Sequence, residues 1–369
     1  MFSPETKRNF SRVVPVALIW LLFSIVYTLL EKGLLGRLTG YPSTGNPYNF
    51  SRNIFVTPVS ALLTGIIIGT MEIKYFYGLF IRMSFTKKIV LKSITYLAII
   101  IAFLLMVTAV SNSLELHRNI FDSSVWANVR IFLSTYAFWS VVVYIAAIIV
   151  VSQFYTEVSE NLGQGVLANF FKGKYHNPKE EERIFMFLDM KSSTTIAERL
   201  GHVTYFELLR EYYADLSKPV IKYAGEIYQY VGDEIIVSWK LRNGITHSNC
   251  IQCFYSLKDT IKKQGHKYVE KFGVMPEFKA AIHIGMVTTG EIGTIKKDII
   301  FTGDVLNTTA RIQGLCNHYK VDLLLSAELT GRLSLPAGYQ LIALGESELR
   351  GRDEKINLFT LLPSKNEVS

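Results

Sequence analysis

The chain has 369 residues, of which 49% are hydrophobic, and its mean hydropathy is +0.24. This average is too apolar for an ordinary soluble enzyme. The hydrophobicity is concentrated before residue 155, so the composition predicts a membrane half and a soluble half. A formal charge of +8 often accompanies nucleic-acid binding, but much of this charge flanks apolar segments, so we attribute it to membrane orientation and expect no nucleic-acid partner.

Four apolar segments in residues 1–153 predict a four-helix transmembrane domain in a lipid bilayer. They run over residues 13–30, 54–80, 94–110 and 131–151. Lysine and arginine are concentrated at the N-terminus, in the connector 82–92 and after Tyr155. The positive-inside rule therefore places both termini in the cytoplasm and predicts an integral protein of the plasma or inner membrane.

Two features of the second segment each allow two interpretations. Gly65 and Gly69 form a G-x-x-x-G step, which lets helices approach closely, although glycine is also simply common in membrane helices. Glu72 could act as an intramembrane sensor group, but its place beside Lys74 favours the cytoplasmic boundary.

Residues 154–179 predict an amphipathic helix and linker between the two halves. Apolar residues recur every four positions from Phe154 through Leu162 to Phe170. Such a helix either pairs with its copy in a dimer or serves as a passive connection. Pro178 and the charged run after it mark the start of the soluble domain, residues 180–369.

The soluble domain opens with an apolar strand that ends at Asp189, followed by helices and a hairpin that turns at Gly232-Asp233. This order matches the first half of a ferredoxin-like α+β unit, in which the third strand lies antiparallel between the first two. Asp189 and Asp233 should therefore approach each other. Either one alone is typical of an ordinary turn, but together they suit Mg²⁺ held against a triphosphate.

The rest of the soluble domain predicts a mixed sheet with helices. The predicted helices cover residues 205–223, 245–272 and 305–319, and the later strands cover 278–287, 299–302, 321–326, 339–344 and 356–361. Cys250 and Cys253 form a C-x-x-C pair with no second pair to complete a zinc site, so we expect reduced thiols there and at Cys316.

Two polar groups later in the chain could bind phosphate or ribose. Asn307 and Arg311 lie four apart and share one face of a helix, where they are either a ribose- and phosphate-directed pair or a solvated surface. Lys279 on a strand, and Arg350 and Arg352 around Gly351, could contact phosphates, although surface cations usually do nothing so specific.

The soluble domain resembles the catalytic domain of class III nucleotide cyclases, the adenylyl and guanylyl cyclase family. The resemblance covers residues 183–361 and not the membrane half. Four stretches carry it: F-L-D-M at 187–190, Y-V-G-D-E at 230–234, A-I-H-I-G at 281–285, and F-T-G-D-V-L-N-T-T-A-R at 301–311.

The resemblance implies that Asp189 and Asp233, with the Met190 carbonyl nearby, hold two Mg²⁺ or Mn²⁺ ions. One ion would help activate the ribose 3′-hydroxyl and the other would bind the phosphates. Asn307 would orient the ribose and Arg311 would stabilise the transition state. The reaction would be attack of the 3′-oxygen on the α-phosphate, which gives a 3′,5′-cyclic nucleotide and pyrophosphate.

The resemblance also implies substrate contacts. Lys279 falls at a phosphate-binding position, as does one of Arg350 and Arg352 on the last hairpin. Gln229 and Ile300 fall where adenylyl cyclases read adenine with a lysine and an aspartate or threonine.

The base positions therefore depart from the family pattern. Glutamine can bond a purine edge and isoleucine cannot, and a slip of two residues would place Asp298 there instead of Ile300. The guanylyl cyclase pairing is also absent. Because the chain resembles bacterial membrane cyclases, which most often use ATP, we expect ATP as substrate, with GTP as the alternative.

In this family the metal aspartates come from one catalytic domain and the asparagine–arginine pair from its partner. Because this chain carries both sets, the resemblance implies a symmetric homodimer with two equivalent sites. A diguanylate cyclase is the nearest enzymatic alternative, but the helix with Asn307 and Arg311 fits the mononucleotide cyclases better. A catalytically silent, cyclase-like receptor is disfavoured because the metal and transition-state positions are filled.

Overall fold

The structure is a computed structural model that describes residues 3–42, 47–80, 83–163, 166–335, 338–349 and 355–363. The chain divides into two compact units. The first, which we call the membrane unit, spans Thr6–Leu167. The second, the catalytic unit, comprises Ala168–Ser369 together with the first five residues.

The membrane unit is helical. Its helices are α1 (Pro4–Leu35), α2 (Phe50–Met71), α3 (Tyr77–Leu79), α4 (Phe85–Glu115), α5 (Ser123–Leu133) and α6 (Tyr136–Leu162), and a π-helical turn over Glu72–Phe76 extends α2. Four of them, α1, α2 with its π turn, α4 and α6, are long and apolar enough to cross a membrane by length and composition. The four predicted apolar segments therefore correspond to four long helices.

The fourth segment begins later than predicted. The prediction started it at residue 131 and made 111–128 a loop, whereas α4 continues to Glu115 and a separate short helix, α5, ends at Leu133. The Thr135 side chain accepts a hydrogen bond from the Phe138 backbone N–H at 3.2 Å and so caps the start of α6. A hydropathy profile does not reveal this break between α5 and α6 because apolar residues lie on both sides of it.

The G-x-x-x-G step is a site of close helix approach. A Cβ atom added at Gly65 would lie 2.7 Å from the Ala17 Cα of α1, and one at Gly69 would lie 3.2 Å from the Val13 Cα. The first of the two interpretations is therefore confirmed, because α1 and α2 touch where a side chain would not fit.

Glu72 does not lie exposed at a boundary beside Lys74. Its side chain is buried, and its Oε1 accepts from Lys92 Nζ at 2.5 Å while its Oε2 accepts from Tyr96 Oη at 2.9 Å. Lys92 also donates to Glu157 Oε1 at 2.7 Å. The partner of Glu72 is therefore Lys92 of α4, twenty residues away, rather than Lys74; its place at the cytoplasmic boundary stays a prediction.

The predicted amphipathic helix from residue 154 is not continuous. Helix α6 ends at Leu162, Gly163 follows with a φ of +96°, and α7 covers Val166–Phe171. A positive φ favours glycine, so the sequence L-G stops the helix there.

The catalytic unit is built on one mixed sheet. Its strands are β1 (Lys179–Met190), β2 (Glu226–Val231), β3 (Glu234–Lys240), β4 (Phe278–Ile292), β5 (Asp298–Thr302), β6 (Leu323–Ser326), β7 (Tyr339–Ser347) and β8 (Ile356–Pro363). They pair in the order β2-β3-β1-β4-β6-β8-β7, and β5 pairs with β4. Strand β3 lies antiparallel between β2 and β1, which confirms the predicted ferredoxin-like half and the α+β class.

Helices cover both faces of this sheet. They are α8 (Ser193–Leu200), α9 (His202–Lys222), α10 (Leu241–Ile245), α11 (Asn249–Lys263), α12 (Gly265–Phe272), α13 (Asp304–Gly314), α14 (Cys316–Tyr319) and α15 (Ala327–Thr330). The predicted helix over 245–272 is three helices, and the one over 305–319 is two. Along β1, Ile184 and Met186 pack with α9 and α11, while Phe185 and Phe187 pack with Val305 of α13 on the opposite face.

Candidate active site

The carboxylates predicted to meet do meet. Asp189 lies at the end of β1 and stands directly opposite Glu234, the first residue of β3. Asp233 occupies the turn between β2 and β3, and its carboxyl group lies close enough to that of Asp189 to interact with it. Gly232 makes this turn with a φ of +62°, a conformation that glycine adopts readily. The expectation drawn from strand topology is therefore confirmed.

The same strand register places four polar side chains on the α13 face of the sheet. Asp189 continues the row of Phe185 and Phe187 on this face, and it stands opposite both Glu234 and Lys279. Gln229 stands opposite Ile236, which belongs to the apolar cluster of the same face. Because cross-strand partners share a face, this side of the sheet holds the candidate site.

Burial and nearby negative charge oppose ionisation of Asp233 and Glu234. Burial, with the Asp189 carboxyl group close by, raises the pKa of Asp233, although a hydrogen bond from Ser193 acts in the opposite direction. Burial and the charges of Asp189 and Asp233 raise the pKa of Glu234 to about 7. The Oδ2 atom of Asp233 is buried without a hydrogen-bond partner. This corner of the molecule therefore has more negative charge and acceptor capacity than its own side chains satisfy.

Two side chains of the same chain reach Asp189 Oδ2. Lys279 Nζ lies 3.5 Å from it, and Gln313 Nε2 of α13 donates to it at 3.1 Å. Lys279 was predicted as a phosphate contact, and the structure brings it to the acids. Gln313 was missed, since nothing in its sequence neighbourhood distinguishes it from a buried helix residue.

Two tyrosines of α9 lie beside the Gly232-Asp233 turn. Tyr213 Oη donates to the Gly232 carbonyl at 2.5 Å, and its ring lies 4.5 Å from that of Tyr230. Burial and the nearby Asp233 raise the pKa of Tyr205 to about 12, so its hydroxyl stays protonated. These residues hold the Gly232-Asp233 turn in place. Sequence reasoning assigned them only to a helix.

Helix α13 presents different residues on its two sides. Asn307 is exposed and Arg311 is half-buried, whereas Thr308 and Ile312 are buried against the sheet. Gln313, on the buried side, is the α13 residue that hydrogen-bonds Asp189 of the same chain. Asn307 and Arg311 therefore lie on a different side of α13 from Gln313, the side chain that contacts the acidic corner of the same chain.

The remaining predicted positions are distributed as follows. Met190 is buried at the end of β1 opposite Phe278, Gln229 is exposed on β2, and Ile300 is half-buried on β5 opposite Gly290. Ile300 neighbours Phe301, which packs on the α13 face, so by strand alternation Ile300 points to the other side of β5. Arg350 and Arg352 lie outside the described residues.

Residues 176–362 match the family described as the adenylate and guanylate cyclase catalytic domain. The match covers half of the chain and includes the sheet, the acidic corner and α13. The chain therefore belongs to the class III nucleotide cyclases.

Curated relatives and a solved structure agree with this placement. Adenylate cyclase 2 of Rhizobium meliloti (strain 1021) is 36% identical over 208 residues, which is 56% of this chain and 57% of the relative. The adenylate cyclase of Anabaena cylindrica is 26% identical over 178 residues, 47% of this chain and 35% of the relative. The chain thus spans about half or less of the length of these relatives.

A bacterial light-regulated adenylyl cyclase of known structure shares the fold. It matches with a TM-score of 0.51 and 20% identity, and the match covers 59% of this chain and 63% of that one.

Proposed function

We propose that the chain is a membrane-anchored adenylate cyclase that converts ATP into 3′,5′-cyclic AMP and pyrophosphate. The observation that carries the proposal is the acidic corner, where Asp189 and Asp233 meet at strand ends and one Asp233 oxygen is buried without a partner. Membership of the cyclase family supports the reaction class, and the relatives named adenylate cyclases support ATP rather than GTP.

The residues at this corner fit a divalent metal. Among the described residues no three His, Cys, Asp or Glu side chains form a complete metal cage. Mg²⁺ is commonly held by only one or two carboxylates and completes its shell with water and substrate phosphates. Asp189, Asp233 and the Met190 carbonyl would hold two Mg²⁺ or Mn²⁺ ions, and these ions would neutralise phosphate charge and acidify the ribose 3′-hydroxyl.

The chain's own polar groups would orient and stabilise the nucleotide. The Asn307 amide would hold the ribose so that its 3′-oxygen faces the α-phosphate in line with the pyrophosphate leaving group. The Arg311 guanidinium would stabilise the charge that develops on the phosphoryl oxygens. Lys279 would contact phosphate, as would Arg350 or Arg352 from the last hairpin.

Base selection would depend chiefly on Gln229. Its exposed amide carries both a donor and an acceptor, and it makes no hydrogen bond to the rest of the described chain. Ile300 offers only apolar contact. A site in which one amide contacts the base can bind adenine and does not require the oxygen of guanine. This is consistent with ATP as the preferred substrate.

A homodimer would complete each site. On α13, Gln313 is turned to the acids of its own chain while Asn307 and Arg311 lie elsewhere on the helix. A second copy related by a two-fold axis would bring Asn307 and Arg311 of one subunit to the acids of the other. The membrane unit would anchor, dimerise or regulate this pair, with four spans and both termini in the cytoplasm.

Product identification tests the proposed function. The purified full chain in lipid nanodiscs would be given ATP or GTP with Mn²⁺, and the product would be identified by mass spectrometry. We expect 3′,5′-cyclic AMP and pyrophosphate, with ATP the better substrate by kcat/KM. A preference for GTP would identify a guanylate cyclase, a cyclic dinucleotide would identify a diguanylate cyclase, and no product would contradict the proposal altogether.

A further inference from the structure

Strand β2 contains a β-bulge directly before Gln229. Ile227 pairs with Val237 of β3, but Gln229 pairs with Ile236, so Tyr228 is the extra residue. A bulge of this kind re-aims the side chains beside it. The placement of Gln229 on the α13 face of the sheet therefore depends on how Tyr228 is held.

Tyr228 is held by β5, a strand that does not pair with β2. Its ring lies 4.7 Å from the Phe301 ring, and its hydroxyl oxygen accepts a hydrogen bond from the Phe301 backbone N–H at 3.2 Å. One side chain thus connects the bulge of β2 to the backbone of β5. This connection adds an attachment for β5 beyond its ladder with β4.

Arg183 lies at the base of the same stack. Its side chain is 1% exposed, and its guanidinium carbon lies 4.5 Å from the centre of the Phe301 ring. Arg183 also bonds Glu181 at 3.0 Å and Ser238 at 3.1 Å, and it pairs with Glu226, the first residue of β2. A buried guanidinium held by two carboxylates and a hydroxyl is a rigid platform for an aromatic ring.

We infer that Arg183, Phe301 and Tyr228 act as positioning residues that set the purine selectivity of the cyclase. The stack fixes the bulge, and the bulge fixes the direction of the Gln229 amide toward the base. These residues touch neither phosphate nor metal ligands, so they act through Gln229. The inference rests on the proposed function, because it assigns a task within the same nucleotide site.

The test compares Tyr228→Phe with the wild-type full chain in nanodiscs. This substitution keeps the ring and removes only the oxygen that accepts from Phe301. We expect the ratio of kcat/KM for ATP to that for GTP to fall by about two- to tenfold, the range expected for one hydrogen bond. The change should appear mainly in KM, with Tm nearly unchanged. Arg183→Lys, which keeps the charge and loses the planar stack, should shift the ratio in the same direction.

A double-mutant cycle shows whether the effect passes through Gln229. In a Gln229→Ala background, Tyr228→Phe should leave the ATP-to-GTP ratio where Gln229→Ala alone has put it. Tyr319→Phe serves as the matched control, because its hydroxyl also makes a hydrogen bond, to Ser347 at 2.5 Å, in a different apolar cluster. That variant should keep the wild-type ratio.

The results separate this inference from the proposed function. A wild-type chain that forms cyclic nucleotide, with a ratio that Tyr228→Phe and Arg183→Lys leave unchanged, overturns the inference alone. Equal, additive shifts in the presence and absence of Gln229 overturn it as well. A wild-type chain that forms no cyclic nucleotide removes the proposed function and the inference with it.

Discussion

The two units of this protein bury charge in opposite ways. In the membrane unit, Lys92 lies between Glu72 and Glu157, and all three side chains are at most 4% exposed. Lys88 approaches Glu157 at 3.6 Å, so two carboxylates face two ammonium groups. We call these four residues the membrane cluster. Its charges are balanced within the described chain.

The acidic corner of the catalytic unit is not balanced. Asp189, Asp233 and Glu234 lie together, and Lys279 is the cation that pairs with them among the described residues, at 3.5 Å from Asp189. Burial raises the pKa of both Asp233 and Glu234. The cluster that joins helices thus supplies its own counter-charge, whereas the acidic corner leaves part of its negative charge unpaired among the described residues, as we propose for a site that binds metal and substrate.

Removal of one acid should separate catalysis from stability most sharply. Asp233→Asn takes away a proposed metal ligand, so we expect kcat to fall by about a thousandfold or more, the scale of several kcal/mol of transition-state stabilisation. Because the fold raises the pKa of Asp233, its charged form is disfavoured, and Tm should stay the same or rise. Steady-state kinetics and thermal unfolding of the same preparation measure both. A large loss of Tm would mean that the acids hold the fold together.

Removal of Lys92 from the membrane cluster should instead lower the stability of the fold. Lys92→Met leaves Glu72 and Glu157 buried without their shared partner, which is expected to cost about 3–5 kcal/mol of unfolding free energy. Denaturation in detergent measures the loss. The matched control is Lys87→Met, an exposed lysine five residues earlier on α4, which should change stability by less than about 0.5 kcal/mol.

Replacing Glu72 and Glu157 by neutral residues together with Lys92 should restore much of this stability. The triple change Lys92→Met, Glu72→Gln and Glu157→Gln removes the unpaired charge along with its partner. A triple variant as unstable as Lys92→Met would show that packing, and not charge balance, dominates the membrane cluster.

A mixing experiment tests whether a partner completes the acidic corner. Arg311→Ala should lower kcat by about a hundredfold or more, as for loss of one transition-state donor. When Arg311→Ala and Asp233→Asn chains are co-expressed in equal amounts, mixed dimers regain one intact site. The mixture should reach about one quarter of wild-type activity. Activity no higher than that of the separate variants would place both residues in one subunit's site.

The smallest expected effect concerns the cysteine thiols, which are weak acids buried in the apolar core. Burial raises the pKa of Cys250 and of Cys316 to about 12. Their neutral thiols stabilise the fold below the unfolded pKa near 9, and this contribution is lost as the pH rises from there toward 12.

Iodoacetamide at pH 8 should therefore leave these thiols unmodified in the folded chain and label them only after unfolding. Rapid labelling of the native protein would show that the core is open.

Sequence alone predicted the parts of the fold that follow local patterns. The hairpin at Gly232-Asp233 and the strand ending at Asp189 imply a fixed topology, so the meeting of the two aspartates could be foreseen. The Gln313 contact to Asp189 and the Lys92 contact to Glu72 could not, because each joins elements whose relative placement is set by packing. Helix ends were the weakest predictions: the chain leaves the helical conformation at Gly163 and at Gln264, within helices that hydrophobic periodicity extended across these residues.

The central claim is that the acidic corner needs positive charge from outside the chain. The most direct test of this claim is to measure metal binding. Electron paramagnetic resonance would measure Mn²⁺ bound to the full chain with 3′-deoxy-ATP, which lacks the attacking hydroxyl. The account predicts that wild type binds Mn²⁺, that Asp233→Asn loses this binding, and that Asp259→Asn, an exposed acid on α11, retains it. Equal Mn²⁺ binding by wild type and Asp233→Asn would contradict the account.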